Sequence, residues 1–150
     1  MASEALGSPV LQVFGMIRSI DIGVREQLAE SLPEGFSTSQ FELMRLFDLE
    51  GDGMTPAEIA QTLNAPKSGV TAILQRLEAS GFVRVEPSPD DRRKKRVWTT
   101  PEGRAIYVKA VGAMRPKMEK LREAFTMDEF REALPFLRAL RTWFAERDWA

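Results

Sequence analysis

The segment from Pro66 to Glu78 combines a hydrophobic stripe with a face that can make hydrogen bonds to nucleic-acid bases. Its large apolar residues recur at i, i+3, i+4 and i+7, the spacing of one side of an α-helix; they are Val70, Ile73, Leu74 and Leu77. The opposite face is small or polar, carries no acid, and consists of Lys67, Ser68, Gly69, Thr71, Ala72, Gln75 and Arg76. Thr, Gln and Arg side chains can pair with base edges, and an alanine methyl can contact thymine. The pattern therefore predicts a helix that enters a groove of DNA, although a plain solvent-exposed face has the same spacing.

A run of five consecutive cations, residues 92–96, lies further along the chain. Like charges side by side on a folded surface repel one another, and phosphate contacts relieve that repulsion. A charge run alone is more often a solvated loop. Its position directly after a helix pair favours DNA, so the candidate DNA-binding cations are Arg92, Arg93, Lys94 and Lys95.

The composition removes most catalytic chemistry. The 150 residues contain no cysteine and no histidine, which excludes disulfides, zinc thiolate sites, and Ser–His or Cys–His nucleophilic pairs. A rival enzyme hypothesis is left with Asp52, Asp90 and Asp91 around a divalent cation, but neighbouring carboxylates in a strand face opposite ways. We therefore predict no enzymatic activity, no cofactor and no metal.

A predicted helix-turn-helix positions the polar face. Thr55 begins a capping-box pattern around Pro56, so a short helix is expected from there to about Asn64, directly before the segment described above. The same capping pattern recurs at Ser37 and Thr126 and predicts two further helix starts.

A predicted hairpin positions the cations. Gly81 is placed to close the preceding helix as its C′ residue. Alternating residues then predict strands over 82–86 and 96–99, and the proline-containing stretch 87–91 is expected to interrupt the ladder. A hairpin with a protruding cationic loop, placed after a helix-turn-helix, is a wing.

Hydrophobic helices are predicted at both ends of the chain. Residues 8–32 carry large apolar side chains at three- and four-residue steps, and residues 101–144 repeat the pattern. Pro116 is expected to kink or end the first C-terminal helix, and Pro135 to bend the last one, because proline removes a donor and clashes one turn back.

The fold class that follows is mainly α with a small β-hairpin wing. Residues 37–100 are predicted to form a winged helix-turn-helix DNA-binding region, and residues 1–36 and 101–150 a helical dimerisation region, in a single compact chain. The homodimer is predicted because the apolar surface at the two ends exceeds what the winged helix can cover. The alternative is a monomer whose terminal helices fold over it. A twofold dimer would present two helices to successive major grooves, about 34–36 Å apart, and would select an inverted repeat.

Charge and hydropathy limit the remaining partners. The formal net charge is −1, so a basic loop would bind DNA locally rather than through an overall positive charge. No apolar run reaches the roughly 18 residues of a membrane span. The N-terminal apolar residues follow Glu4 and no lysine or arginine, unlike a signal peptide. A cytoplasmic protein is therefore predicted.

From Thr55 to Gly103 the sequence resembles the MarR family, the multiple-antibiotic-resistance type of bacterial winged-helix regulators. The stretch TPAEIAQTLNAPKSGVTAILQRLEASGFV is similar to the family's helix pair. The stretch SPDDRRKKRVWTTPEG resembles its Asp-x-Arg wing followed by a Leu-Thr-x-x-Gly-like helix start. The terminal helices match by pattern only. The resemblance implies a homodimer that binds operator DNA, and many relatives are repressors released by small, often aromatic or phenolic, ligands.

The resemblance also implies residue roles. Arg93 matches the wing arginine expected in the minor groove, Asp91 matches the acidic partner that orients it, and Arg92 would lie near phosphate. The chain departs from the family pattern at Pro66, Gly69, Ala72, Trp98 and Thr99. These departures bear on the operator sequence rather than on the fold, and the missing cysteines exclude the thiol-switched branch of the family.

A ligand would bind where the terminal helices meet the winged helix. Candidate ligand-binding residues are Met16, Met44, Phe47 and Trp98, which are large, apolar and near that junction, with plain hydrophobic core as the alternative role. The predicted function is a sequence-specific, DNA-binding transcriptional regulator, a homodimeric repressor of an inverted-repeat operator. The alternative is a winged-helix protein-interaction module whose basic loop binds an acidic partner.

Overall fold

Helices and one β-hairpin make up the regular structure of residues 7–146, the part of the chain that the computed structural model describes. The helices are α1 (Pro9–Ser31), α2 (Thr38–Glu50), α3 (Pro56–Leu63), α4 (Lys67–Ala79), α5 (Pro101–Ala124) and α6 (Met127–Ala145), and the strands are β1 (Val83–Pro87) and β2 (Lys95–Thr99). This order confirms the predicted fold class. The ends of the predicted dimerisation region, residues 1–6 and 147–150, lie outside the described residues.

Every capping box that the sequence predicts is present. In each, the hydroxyl oxygen accepts the N3 N–H at 3.2 Å, and the N3 side chain accepts the N-cap N–H at 2.7–2.8 Å. The pairs are Ser37 with Gln40, Thr55 with Glu58, and Thr126 with Glu129. These bonds fix the starts of α2, α3 and α6 because they satisfy N–H groups that have no partner within the helix.

The core of the winged helix draws on all the elements from α2 to β2. The largest fully buried side chains are Leu43 in α2, Ile59 in α3, Val70 and Leu77 in α4, and Val97 in β2. Burying one such side chain stabilises the fold by about 1.5–3 kcal/mol. Since each element contributes to the same core, the positions of α4 and the hairpin are set together.

The end of α4 and the start of β1 share one turn. Gly81, with φ +74°, donates its N–H to the Glu78 carbonyl, and Phe82 donates to the Leu77 carbonyl, each at 2.9 Å. This pattern is a Schellman motif and confirms Gly81 as the C′ residue. Because the Phe82 N–H is used in that turn, β1 begins at Val83, one residue later than predicted.

The hairpin extends further into its loop than the prolines suggested. Its register pairs Val83 with Thr99, Val85 with Val97, and Pro87 with Lys95. The prediction that residue 87 would lie outside the ladder was therefore wrong. A proline at the last position of an edge strand removes at most one ladder hydrogen bond, and such positions tolerate it.

The two C-terminal prolines lie inside continuous helices. Pro116 is within α5 and Pro135 within α6, so the expectation that Pro116 could end a helix was wrong. A proline inside a helix removes one backbone donor, and both helices nevertheless continue past it.

The chain divides into two compact units, one up to residue 113 and one from residue 114. In the first unit, α1 contacts α2; Leu28 is buried and Arg25 forms a 3.1 Å ion pair with Glu42. Most other large apolar residues of α1 are exposed: Val10, Leu11, Met16, Ile17, Ile20, Ile22 and Val24. The predicted limits of the DNA-binding and dimerisation regions, 36/37 and 100/101, stay a prediction.

The second unit contains the end of α5 and all of α6. Phe125 and Phe130 pack edge to face, with ring centroids 6.3 Å apart. α6 also leaves a row of large side chains exposed: Phe130, Leu134, Phe136, Leu137, Trp143 and Phe144. Within residues 7–146, no helix combines the length and the hydropathy that crossing a membrane requires.

Candidate nucleic-acid interface

α4 presents its predicted DNA face to solvent. We call this set the α4 polar face, and all of its members are exposed: Lys67, Ser68, Gly69, Thr71, Ala72, Gln75 and Arg76. On the other side, Val70, Leu74 and Leu77 are buried where α4 packs against α2, α3 and β1. The amphipathic spacing thus has the structural consequence that the sequence predicted: three of the four residues of the apolar stripe are buried in the core, and Ile73 is partly exposed.

Two polar residues of this face have different hydrogen-bonding capacity. The Thr71 hydroxyl donates to the Lys67 carbonyl within the helix, at 2.9 Å. Its oxygen can still accept, so Thr71 suits a base-edge donor such as an exocyclic amine. Gln75, one turn further along, offers both a donor and an acceptor and can pair with adenine in a bidentate way.

A groove of about 360 Å³ joins α4 to the hairpin. It is lined by Pro56, Thr71, Leu74, Gln75, Glu78, Val85 and Lys95. The Glu78 carboxylate accepts the Val85 N–H at 3.1 Å, which ties α4 to β1 on this side. Lys95 of the hairpin therefore lies in one groove with Thr71 and Gln75, a proximity that sequence spacing could not show.

The loop between the strands, residues 88–94, is held by its own backbone. We call it the wing loop. Ser88 donates its N–H to the Lys94 carbonyl at 2.7 Å, and Lys94 donates to the Asp91 carbonyl at 2.9 Å. The Asp91 carboxylate also accepts from the Arg93 N–H at 3.0 Å and from Arg93 Nε at 3.4 Å. The Asp91–Arg93 pairing that the resemblance implied is thus present, and the Arg93 side chain is 94% exposed.

Arg96 differs from the other cations of the run. Its Nη1 donates to the Gly53 carbonyl at 2.7 Å, and its Nε donates to Ser88 Oγ at 3.4 Å. Treating residues 92–96 as one repelling cationic run was therefore wrong for this residue. The exposed cations are Arg92, Arg93, Lys94 and Lys95, and Arg96 connects the hairpin to the turn before α3.

A second cavity, of about 360 Å³, lies between α2, the end of β2 and α5. It is lined by Met44, Phe47, Asp48, Asp52, Thr99, Arg104, Tyr107 and Val108. Two of the predicted ligand-binding residues, Met44 and Phe47, line it. Met16 does not, because it lies on the exposed side of α1 with 65% of its surface accessible. Trp98 does not line it either, because its indole packs over the turn at Gly53.

The polar lining of this cavity was not identified from the sequence. Tyr107 stacks on Phe41 at 5.4 Å and donates its hydroxyl to Asp48 at 3.4 Å. Burial, together with the Asp48 carboxylate, raises the pKa of the Tyr107 phenol, so it stays protonated. The sequence does contain a signal that could have indicated this lining. Residues 44, 47 and 48 in α2 and residues 104, 107 and 108 in α5 have the same i, i+3, i+4 spacing, which places each set on one helix face.

The carboxylates of the rival enzyme hypothesis do not form a cation site. Asp52 accepts from Thr99 and Arg104, and Asp91 accepts from Arg93. No group of three or more His, Cys, Asp or Glu residues in the described part of the chain is arranged to hold a metal. These two carboxylates therefore act as structural hydrogen-bond acceptors.

The winged helix can be placed among known proteins. The sequence model of the MarR family matches residues 34–94, from α2 through the wing loop. The winged helix of this chain therefore matches the MarR family over these residues. The relatives that the chain matches are transcriptional regulators rather than enzymes. This agrees with the prediction that the chain is not an enzyme.

Individual relatives agree with this assignment. Over 96 residues the chain is 30% identical to the HTH-type transcriptional repressor YetL of Bacillus subtilis (strain 168); the match spans 63% of this chain and a little over half, 58%, of YetL. The solved structure of the transcriptional repressor CouR bound to a 23-mer DNA duplex has 25% identity and a TM-score of 0.74, over 84% of this chain and 89% of CouR. A mutant of MarR from E. coli, complexed with operator DNA, has the same fold, with 23% identity and a TM-score of 0.75 over 87% of this chain and 94% of MarR.

Two departures from the MarR-family pattern meet at one turn. Thr99 donates both its N–H and its hydroxyl to Asp52, at 3.0 and 2.7 Å. The Trp98 ring covers Gly53, which has φ +83° and would place a Cβ 2.8 Å from that ring. The unusual residues of β2 are therefore accommodated by the turn between α2 and α3.

Proposed function

We propose that this chain is a homodimeric regulator of the MarR type, a repressor that binds an inverted-repeat operator. The α4 polar face enters the major groove, and the wing loop contacts the neighbouring backbone and minor groove. The observation that supports this best is that the α4 polar face is wholly exposed, contains no acid and borders the groove that Lys95 also lines. The repressor CouR, which has a similar fold, was solved bound to a 23-mer DNA duplex, and this supports DNA binding here.

The composition of the face fits a groove about 12 Å wide. Gly69 and Ala72 add little bulk, so the helix axis can approach the bases closely. Gln75 and Thr71 reach base edges, whereas Lys67 and Arg76 have the charge and length to reach phosphates. A solvent-exposed face without function has no need to exclude acids.

The wing supplies a separate contact. Asp91 holds Arg93 by its backbone N–H and its Nε, while the rest of the guanidinium faces solvent. An arginine held in this way suits a narrow minor groove, where the negative potential is strongest. Arg92, Lys94 and Lys95 neutralise phosphates and carry no sequence information.

Selection of bound sites from random duplex DNA tests the function. We expect an inverted repeat with half-sites about one helical turn apart. Gln75→Ala should relax the preference at one position in each half-site, because each bidentate pair contributes about 1–3 kcal/mol of discrimination. Gln12→Ala, on exposed α1, is the matched control and should leave the selected sequence unchanged.

Two outcomes would count against this assignment. If wild-type protein enriches no sequence, the rival protein-interaction role is favoured. If Gln75→Ala recovers the wild-type site, base recognition by this side chain is refuted.

The dimer is supported by apolar surface that the chain leaves uncovered. α1 and α6 each expose a row of large hydrophobic side chains, and such surface is normally buried in an interface. Light scattering should give twice the chain mass of 16.9 kDa. Ile20→Asp should shift the protein toward monomer, because a buried unpaired carboxylate is costly.

A matched control for the dimer is Leu49→Asp. Leu49 lies at the end of α2 and is 65% exposed, close to the 64% of Ile20, but it is outside the terminal helices. It should leave the mass unchanged. A wild-type mass of one chain at micromolar concentration would reject the homodimer.

Repression and release complete the proposal. YetL is a repressor, which supports the same sign of regulation here. A small aromatic effector would occupy the cavity beside Met44 and Phe47, whose size is in the range of about 300–1,000 Å³ usual for small-molecule sites. Such a ligand would release DNA if it bound better to a dimer with wrongly spaced α4 helices. The regulator acts in the cytoplasm.

A further inference from the structure

Asp52 lies where the cavity beside Met44 meets the base of the wing. It occupies the turn between α2 and α3, and its side chain is 22% exposed. Its Oδ1 accepts from the Thr99 N–H at 3.0 Å and from the Thr99 hydroxyl at 2.7 Å, and its Oδ2 accepts from Arg104 Nη2 at 3.2 Å. One carboxylate thus connects the end of β2 to the start of α5.

The contacts continue from this turn along the hairpin. Gly53 donates its N–H to the Val97 carbonyl, and Val97 donates to the Met54 carbonyl, each at 2.9 Å. The Gly53 carbonyl accepts from Arg96, whose Nε also donates to Ser88 at the start of the wing loop. Asp52 and its neighbour Gly53 therefore connect the cavity, through β2 and Arg96, to the start of the wing loop.

The wing depends on such outside contacts. A hairpin of two strands is only marginally stable by itself, so its direction is set by what holds its base. Hydrogen bonds to an ionised carboxylate are roughly twice as strong as neutral ones. Two of the three donors to Asp52 belong to Thr99 at the end of β2, and the third belongs to Arg104 in α5.

We propose that Asp52 is a positioning residue for DNA binding. It holds β2 so that the wing cations and the α4 polar face meet the same duplex. This inference rests on the proposed function, because it requires the wing to contact DNA. A molecule bound in the cavity could also affect the wing through Asp52, since displacing Asp52 from Thr99 would loosen the base of the hairpin.

Asp52→Ala tests the proposal in full-length protein with a duplex recovered by the selection described above. We expect affinity to fall about tenfold through the lost partly buried acceptor. The slope of log K against log salt should fall by about 1–2, because misplaced wing cations no longer contact phosphate. Asp52→Asn keeps an oxygen that can accept from Thr99, and should restore most of both values.

Asp128→Ala is the matched control. It makes the same change in net charge, and Asp128 is 80% exposed on α6 and pairs only locally with Arg131 among the contacts described. Affinity and salt slope should both match wild type. A loss of affinity in Asp52→Ala without a change in slope would mean a general structural role and would overturn the proposal.

A double-mutant comparison isolates the wing. In a protein whose wing cations are already alanines, Asp52→Ala should lower the affinity for DNA by no more than about twofold. The reason is that the effects of residues that act through one contact are not additive. An equal loss in both backgrounds would refute the assignment. If Asp52→Ala melts below the assay temperature, Thr99→Val removes the hydroxyl contact alone and is carried through the same measurements.

Hydrogen exchange without DNA separates this inference from the proposed function. The N–H groups of Ser88 and Lys94 should exchange faster in Asp52→Ala, while those of Val70 and Leu77 in α4 should be unchanged. If the wild-type protein binds no duplex, the proposed function fails. Faster exchange in the wing of Asp52→Ala would still support the structural connection between Asp52 and the wing. If wild type binds and exchange in the wing is unaltered, the role of Asp52 fails alone.

Discussion

Replacing Gly103 by alanine is expected to lower the free energy of unfolding by about 3 kcal/mol or more. A Cβ at this position would stand 1.9 Å from the carbonyl oxygen of Phe82 and 2.8 Å from its carbonyl carbon. Both are backbone atoms, so no side chain can rotate out of the way. The first turn of α5 and the turn after α4 approach each other this closely only because residue 103 has no side chain.

Neighbouring hydrogen bonds prevent the two backbones from moving apart. Thr100 donates its N–H to the Phe82 carbonyl at 3.1 Å and its hydroxyl to the Gly81 carbonyl at 2.5 Å. The same hydroxyl accepts the Gly103 N–H at 3.0 Å and caps α5. Relief of the clash would break this set, and each lost hydrogen bond costs about 1 kcal/mol. The helix-start motif with threonine and glycine three residues apart therefore has a packing cause.

Gly112→Ala is the matched control for this prediction. Gly112 is an exposed position of the same helix, and a Cβ there meets nothing within 4 Å. That change should raise stability by about 0.5–1 kcal/mol, because alanine is the better helix former. Urea unfolding at matched protein concentration would measure both variants, since association shifts the apparent midpoint. Equal midpoints for Gly103→Ala and wild type would show that the two turns can separate freely.

Local signals in the sequence predicted most of the fold. The three capping boxes, the Schellman glycine at 81 and the two faces of α4 each depend on residues within one or two helical turns. Such features are set by backbone geometry and periodicity, so a single chain suffices to find them. Proline is a weaker local signal, because Pro87 and Pro116 lie within elements that tolerate a missing backbone donor.

The parts that the sequence could not predict depend on distant partners. Arg96 looks like one more cation of a run, but its acceptor is the carbonyl of Gly53, 43 residues away. Asp52 looks like a turn residue, yet its donors are 47 and 52 residues away at Thr99 and Arg104. Met16 was assigned to the cavity from the order of elements alone. Neither composition nor spacing specifies which residues of remote elements meet, and this is why the base of the wing emerged only with the structure.

Replacing Arg92, Arg93, Lys94 and Lys95 together by alanine is expected to weaken binding to duplex DNA on the order of 100-fold at moderate salt. These four side chains are exposed around the wing loop, and three of them, Arg93, Lys94 and Lys95, also line a cavity of about 550 Å³ with the first turn of α3. Each phosphate contact that is lost should lower the slope of log K against log salt by about 0.9. A dimer carries two wings, so the change in slope should be several units.

The specificity of this effect follows from a charge-matched variant. Arg115, Lys117, Lys120 and Arg122 are likewise two arginines and two lysines, and they lie on the far part of α5. Their replacement by alanine changes net charge equally, so any loss of affinity common to both variants measures the overall field of the protein rather than contact. Titrations at several salt concentrations should show a reduced slope of log K against log salt only for the wing variant. The wing variant should still select the same bases in the half-sites that α4 contacts, because phosphate contacts position the protein and α4 reads the bases. If both variants lose affinity and slope alike, the wing makes no contact of its own with DNA, and the cations at 92–95 act only through their charge.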